Sequence, residues 1–310
     1  MTAFSSPSAQ ARIWRDRADA LVAEQRLDGR AWIDGQRVAA QGGATFDCVS
    51  PIDGRVLGQI ARGQAADVDA AVQVARRTFE AGVWSRQAPV ARKKVLQRWA
   101  ELMVQHKDEL ALLETLDMGK PIQYSLTVDV PLAVRCIAWY AEAIDKVYDE
   151  VAPTGPDALA LIQREAVGVV GAIVPWNYPM LMAAWKLGPA LATGNSVVIK
   201  PSEKSSLTAM RMAELAHKAG LPAGVLNVVP GYGHEAGEAL ALHMEVDALG
   251  FTGSTRVGRK MLAYAAESNL KRVFNELGGK SAFVVFDDVG SVQRAAQAVA
   301  GALFFNQGES

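Results

Sequence analysis

Four short stretches carry residue types suited to chemistry, and each stands where an apolar run gives way to polar residues. Pro175-Trp176-Asn177 follows the run Val167–Val174, and Lys200-Pro201-Ser202-Glu203 follows Ser196–Ile199. Phe251-Thr252-Gly253-Ser254-Thr255 closes a run that begins at Ala248, and Glu276 follows Lys271–Asn275. The Asn177 carboxamide, in an apolar setting, can donate to a developing oxyanion, and it can equally be an N-cap or turn asparagine. Glu276, ahead of Leu277-Gly278-Gly279-Lys280, can act as a general base where burial raises its pKa; the alternative is a solvated glutamate in a Gly-lined turn. Gly253 lets a ligand approach the backbone, while Ser254 and Thr255 can cap the next helix and bind phosphate oxygens at its N-terminus. Glu203 is suited to ribose hydroxyls and Lys200 to a ribose or a phosphate, against the reading of a surface ion pair. The standard GxGxxG fingerprint is absent.

These stretches are positioned by a repeating strand–helix pattern. Val167–Val174 leads to a helix ending at Ala192, Ser196–Ile199 to Leu207–Ala219, Val225–Val229 to His234–Leu242, and Ala248–Thr252 to Thr255–Ala266. Such alternation predicts an α/β fold, a Rossmann-like doubly wound parallel sheet, with ligands at the carboxyl ends of the strands. Lys271–Asn275 and Phe283–Phe286 read as further strands, and 290–305 as a last apolar helix. Upstream, 9–28 reads as a charged amphipathic helix and Ala31-Trp32-Ile33-Asp34-Gly35 as half of a tight hairpin. Thr45–Val49 and Val56–Ala61 read as strands about the turn Pro51-Ile52-Asp53-Gly54. Apolar residues from Asp67 onwards recur every three or four positions. A long helix over Pro89–Asp117 breaks near His106–Asp108 and stops at Met118-Gly119-Lys120-Pro121. A helix over Val128–Asp149, a Pro/Gly linker from Val151 to Pro156 and an alternating strand at Leu159–Glu165 complete the N-terminal part.

Composition narrows the function classes. The chain has 310 residues, half of them hydrophobic and 21% charged, with a net charge of −1. That balance gives no electrostatic case for nucleic acid or an anionic membrane surface. The longest apolar run, Ala166–Trp176, is too short to span a bilayer, and the N-terminus carries no signal-type h-region. Two cysteines, Cys48 and Cys136, exclude a disulfide framework and fit a cytoplasmic setting. The four histidines have no metal-ligand spacing. The residues by themselves therefore point to a dinucleotide-binding α/β protein.

Five motifs in order resemble the NAD(P)-dependent aldehyde dehydrogenase superfamily: Pro175-Trp176-Asn177-Tyr178-Pro179, Lys200-Pro201-Ser202-Glu203, Gly250-Phe251-Thr252-Gly253-Ser254-Thr255, Glu276-Leu277-Gly278-Gly279-Lys280 and Phe305-Asn306-Gln307-Gly308-Glu309. The similarity runs from about residue 26 to the end of the sequence. The stretches ALLETLDMGKPI and AEAIDKVYDEVAPT resemble the bacterial γ-glutamyl-γ-aminobutyraldehyde dehydrogenases of polyamine breakdown.

The resemblance implies oxidation of an aldehyde to its acid through a cysteine thiohemiacetal and thioester. It makes Asn177 the oxyanion donor, Glu276 the base that activates water, and Lys186 a proton relay. NAD, with NADP as an alternative, would lie against Ile173, Val174, Pro175, Trp176, Lys200, Ser202, Glu203, Gly233, Gly237, Phe251, Thr252, Gly253, Ser254, Val257 and Gly258. It divides the chain into an N-terminal helical and hairpin part of the cofactor domain (1–157), an oligomerisation strand (158–166), a Rossmann-like core (167–276) and the start of a catalytic domain (277–310). It implies a homodimer or homotetramer and a small-molecule aldehyde as partner. Its nucleophilic cysteine falls two positions after Glu309, directly after Ser310, so the sequence reads as the N-terminal portion of a longer enzyme. The alternatives are a non-catalytic NAD-binding module, which would expose a large apolar face, and an acyl-CoA-forming or semialdehyde dehydrogenase.

Overall fold

A computed structural model describes residues 9–23 and 27–309. Its centre is a seven-stranded sheet in the order β11-β10-β7-β8-β9-β1-β2. The members are β1 (Ala31–Ile33), β2 (Gln36–Val38), β7 (Val169–Ile173), β8 (Ser196–Lys200), β9 (Leu226–Val228), β10 (Ala248–Gly253) and β11 (Arg272–Leu277). The five strands from β11 to β9 pair in parallel. The hairpin β1–β2, turned at Asp34-Gly35, adds antiparallel to β9. The wholly parallel sheet expected from the βα repeat is thus extended by two antiparallel strands from the far N-terminal end of the chain. Separate hairpins pair β3 (Thr45–Val49) with β4 (Val56–Ala61), and β5 (Glu150–Ala152) with β6 (Ala160–Ile162).

Strand β8 is buried at all five positions, as suits a parallel strand covered on both faces. Its side chains alternate between two cores: Val197 and Ile199 face one, Val198 the other. The first core collects α3 (Pro89–Gln105), α4 (Lys107–Met118), α6 (Val130–Ala143), α7 (Pro179–Ala192) and α8 (Leu207–Lys218). The second collects α2 (Ala65–Ala81), α9 (Glu238–Leu242) and α10 (Thr255–Glu267). From β7 the chain winds outward through β8 and β9, then returns to the other side of β7 as β10. The order therefore reverses between β7 and β10, which is where open α/β sheets hold ligands.

Several boundaries differ from the sequence reading. Helix α1 is Ala9–Ala23; residues 24–26 of the expected 9–28 helix lie outside the described residues. The expected Val128–Asp149 helix begins with the single turn α5 (Ile122–Tyr124) and a π-helical stretch Ser125–Asp129, and closes in a 3₁₀ turn at Ile144–Lys146. The supposed linker after it opens with strand β5, because its backbone groups find partners in β6. Phe283–Phe286 forms no strand: among the described residues β11 pairs only with β10, and no strand lies beyond it. Helix α11 (Val292–Phe304) is exposed along its length, as are Phe274, Phe286 and Phe304. No helix among the described residues is long and apolar enough to cross a membrane.

Candidate active site

Register brings the predicted residues to one edge. Lys200 pairs with Ile173, Ile173 with Phe251, and Phe251 with Asn275. These four positions form a row across β8, β7, β10 and β11. One residue further on, Thr252 pairs with Glu276. Glu276 is therefore the fifth residue of β11 rather than a loop residue; the parallel pairing to β10 extends the strand through it. Its side chain is exposed.

At the end of β8, Lys200 is buried and donates to Glu203 Oε2 at 3.2 Å. Burial holds the Lys200 ammonium below the usual lysine range, against the pull of Glu203. An added Cβ at Gly237 would lie 3.7 Å from Lys200 Cδ and 3.9 Å from Ile173 Cδ1, so Gly237 belongs to the same wall. Gly233 lies exposed at the start of that π-helical turn. Ser202 is buried, and its hydroxyl accepts from the Lys204 N–H at 3.3 Å. Lys204 in turn lies 5.5 Å from the centroid of the half-open Trp176 ring.

At the end of β10, Ser254 caps α10 and accepts from the Val257 N–H at 3.4 Å. A side chain at Gly253 would meet the Phe251 ring, and one at Gly258 would meet Leu277. Gly258 thus lets the first turn of α10 settle against β11. The buried Thr252 hydroxyl and the Asn275 carbonyl oxygen have no protein partner. The unpaired Thr252 hydroxyl, on β10 beside a helix N-terminus and at the reversal point of the sheet, fits a cleft for a polar, anionic ligand.

Asn177, just after β7, is clasped by Asn306 and Glu309. Its Nδ2 donates to the Glu309 carbonyl at 2.6 Å, and Asn306 Nδ2 donates back to the Asn177 carbonyl at 3.0 Å. A carboxamide has two N–H donors, so one remains for a ligand. Asn306 (φ 49°) and Gln307 (φ 60°) both hold left-handed backbone, a cost on the order of 1–3 kcal/mol each that the surroundings must offset. Gln307 Nε2 donates to the Gly119 carbonyl at 3.0 Å. Lys186, on α7, runs over Gly250; burial lowers its pKa and the nearby Glu276 charge opposes that shift.

Beneath Asn177 lies a group of buried charges that the sequence reading did not single out. The Met180 N–H, at the start of α7, donates to Glu114 Oε1 at 3.3 Å, and Glu114 is fully buried. Burial, aided by Asp129, pushes the Glu114 carboxyl up to about 8. Lys120 donates to Asp129 Oδ1 at 2.7 Å, both buried, and lies 4.1 Å from the Tyr178 ring centroid. Burial raises the Asp129 pKa against the pull of Lys120. Asp117 accepts from the Leu207 N–H at 2.7 Å and from the Cys48 thiol at 3.3 Å, and burial lifts it to about 7. The signal in the sequence is local: Glu114 and Asp117 stand among Leu110, Leu113, Leu116 and Met118 in the second half of α4. Cys48 and Cys136 lie in or against the first core, and burial raises both thiols.

The match to the aldehyde dehydrogenase family model covers residues 38–310. The chain belongs to the aldehyde dehydrogenase family. It is 56% identical over 296 residues to the NADP/NAD-dependent aldehyde dehydrogenase PuuC of Escherichia coli, covering 96% of this chain and 59% of that protein. The solved γ-glutamyl-γ-aminobutyraldehyde dehydrogenase of Burkholderia cenocepacia matches at 60% identity and a TM-score of 0.93, over 96% of this chain and 60% of that one. The indole-3-acetaldehyde dehydrogenase AldA of P. syringae, solved as a cysteine-to-alanine mutant with NAD+ and IAA, matches at 57% identity and a TM-score of 0.94, over 98% and 60%. The chain thus spans about 60% of the length of these relatives.

Proposed function

We propose that the full-length protein oxidises an ω-amino or γ-glutamylamino aldehyde to the carboxylic acid with NAD+, with NADP+ as a second acceptor. The observation that carries this is the row of Lys200, Ile173, Phe251 and Asn275 across the sheet's reversal point, with Asn177 just after β7 and Glu276 next to Asn275 on β11. Similarity to the γ-glutamyl-γ-aminobutyraldehyde and NADP/NAD-dependent enzymes supports the substrate class and the cofactor. When bound, the nicotinamide cofactor supplies a two-electron acceptor for the hydride of the aldehyde carbon.

In this reading Lys200 and Glu203 hold the adenosine ribose, and Ile173, Val174, Pro175 and Trp176 line the cleft. Gly233, Gly237 and the α10 N-terminus, with Ser254, Val257 and Gly258, lie along the phosphates. A thiolate directly after Ser310 attacks the carbonyl, and the remaining Asn177 N–H stabilises the oxyanion that forms. Glu276 takes a proton from the water that hydrolyses the thioester, and Lys186, lowered by burial and within the field of Glu276, relays protons. A general base beside the site favours water over coenzyme A as the acyl acceptor. Domains divide as 1–157, 158–166, 167–276 and 277 onwards. Exposed Val151, Leu159 and Leu161 on the β5–β6 hairpin support pairing into a homodimer or homotetramer.

The test is NADH production by the full-length protein on a panel of ω-amino, γ-glutamylated and plain aldehydes, with and without coenzyme A. Acid formation without coenzyme A is the expected result. No NADH with any aldehyde, or acyl-CoA as the product, would sink the reading.

A further inference from the structure

Glu114 stands in the second half of α4, fully buried, and among the described residues it makes no ion pair. The ammonium that acts on it, Lys120, donates to Asp129 instead, at 2.7 Å. Glu114 Oε1 accepts the Met180 N–H at 3.3 Å. Its Oε2 has no hydrogen-bond partner of good geometry, and the Thr208 hydroxyl of α8 lies beside the carboxyl. The charged groups that face Glu114 are therefore one acid and one ammonium, already bonded to each other. A second carboxylate there would stand uncompensated in the core, so burial and the Asp129 charge favour the neutral acid. Glu114 as acid, Asp129 as carboxylate and Lys120 as ammonium sum to zero charge.

Met180 is the second residue of α7, and the first N–H groups of a helix find no acceptor inside it. Pro179 has no N–H, and Tyr178 supplies no side-chain cap. The acceptor comes from another helix. Asn177 stands three residues before Met180. The turn that ends α4 also holds the segment that clasps Asn177. Gln307 Nε2 donates to the Gly119 carbonyl at 3.0 Å, while Asn306 and Glu309 bond to Asn177. The second half of α4 and its closing turn thus meet both the start of α7 and the segment that leads to the nucleophile's position.

We propose that Glu114 is a positioning residue for the oxyanion donor: a neutral acid that caps α7 from α4 through the Met180 N–H and so holds Asn177 in place. The proposal rests on the aldehyde-oxidising reading above and deepens it by one residue. Hydrogen exchange, read by mass spectrometry on the full-length protein and its Glu114→Leu and Glu114→Gln variants, tests the contact without turnover. Glu114→Leu is expected to speed exchange in peptides covering 178–182 by about tenfold, relative to peptides of α10. Glu114→Gln, whose amide oxygen still accepts, changes it by less than about threefold. The NADH burst with γ-glutamyl-γ-aminobutyraldehyde gives the catalytic readout. At pH 7 its rate constant falls about tenfold in Glu114→Leu, with the Kd for NAD+ unchanged, and is largely rescued in Glu114→Gln. As pH rises through about 8, the wild type loses rate relative to Glu114→Gln, because ionised Glu114 adds a negative charge beneath the place where an oxyanion forms. Wild-type exchange at 178–182 in Glu114→Leu overturns the proposal even where oxidation is robust. Equal loss in both variants also overturns it and marks a packing role. Protection lost in Glu114→Leu and kept in Glu114→Gln upholds it, and absence of turnover in all three proteins then sinks the oxidation reading alone. Should Glu114→Leu fail to fold, the pH dependence of the ratio of wild type to Glu114→Gln decides: a falling ratio upholds the proposal and a flat one overturns it.

Discussion

Asn177 and Glu276 are assigned adjacent steps of one reaction, and the fold holds them in opposite ways. Asn177 follows the central strand β7, is clasped through two hydrogen bonds by Asn306 and Glu309, and precedes Tyr178 and Met180, which meet buried Lys120 and Glu114. Glu276 sits near the end of strand β11, its side chain exposed and without a hydrogen bond or ion pair among the described residues. A donor that must meet an oxyanion gains from rigid placement, because reorganisation at the moment of reaction costs rate. Glu276 is held through its backbone, in the ladder between β10 and β11. The buried charges brace the start of α7, while the Glu276 side depends on the pairing of β11 to β10 and its packing against α10.

The largest effect should come from the free side. Glu276→Gln in the full-length protein is expected to cut steady-state oxidation by about 10²–10⁴-fold while keeping a first burst of NADH, read by stopped-flow absorbance. Steady-state hydrolysis at the wild-type rate would remove Glu276 as the base. On the braced side, Lys120→Met leaves Asp129 buried without its cation, at a cost of about 3–5 kcal/mol. The urea midpoint should fall accordingly, and Lys120→Met/Asp129→Leu should recover much of it. A midpoint within experimental error of wild type would show that the pair does not brace the site. Asn177→Ala should lower kcat by about 10²–10³-fold and suppress the burst itself, which sets it apart from Glu276→Gln.

The smallest effect is a pH slope. Glu114 keeps its proton in the folded protein up to about 8 and loses it near 4.5 when unfolded. Its contribution to stability is therefore full below pH 4.5 and is lost as pH rises towards 8. Asp117 acts with the same sign between 3.8 and about 7. Each lowers stability by about 1.4 kcal/mol per pH unit inside its window. Glu114→Gln should flatten the decline between pH 5 and 8 in urea titrations; an unaltered slope would mean that Glu114 is ionised in the fold.

Much of this arrangement is legible without coordinates. Periodicity and turn residues locate β3, β4, the His106 break and the Gly119 stop, because propensity and capping are local. The motifs name Asn177, Lys200, Glu203 and Glu276, since each carries a functional group at the end of an apolar run. Phe283–Phe286 has the composition of a strand, yet a strand needs a partner, and none among the described residues lies beside it. That Glu276 falls inside β11 is decided by its pairing to Thr252. The antiparallel addition of β1–β2 to β9, across nearly 200 residues of sequence, has no local signature. Nor does the charge group beneath Asn177: the residue types of Glu114, Lys120 and Asp129 are plain in the sequence, but burial and mutual distance decide whether a charge is a solvated ornament or a brace. The sequence alone determined the family, the strand–helix rhythm and the names of the chemical groups. Tertiary structure alone decided the register that aligns them and the burial that sets their energies, because both arise from contacts between segments far apart in the chain.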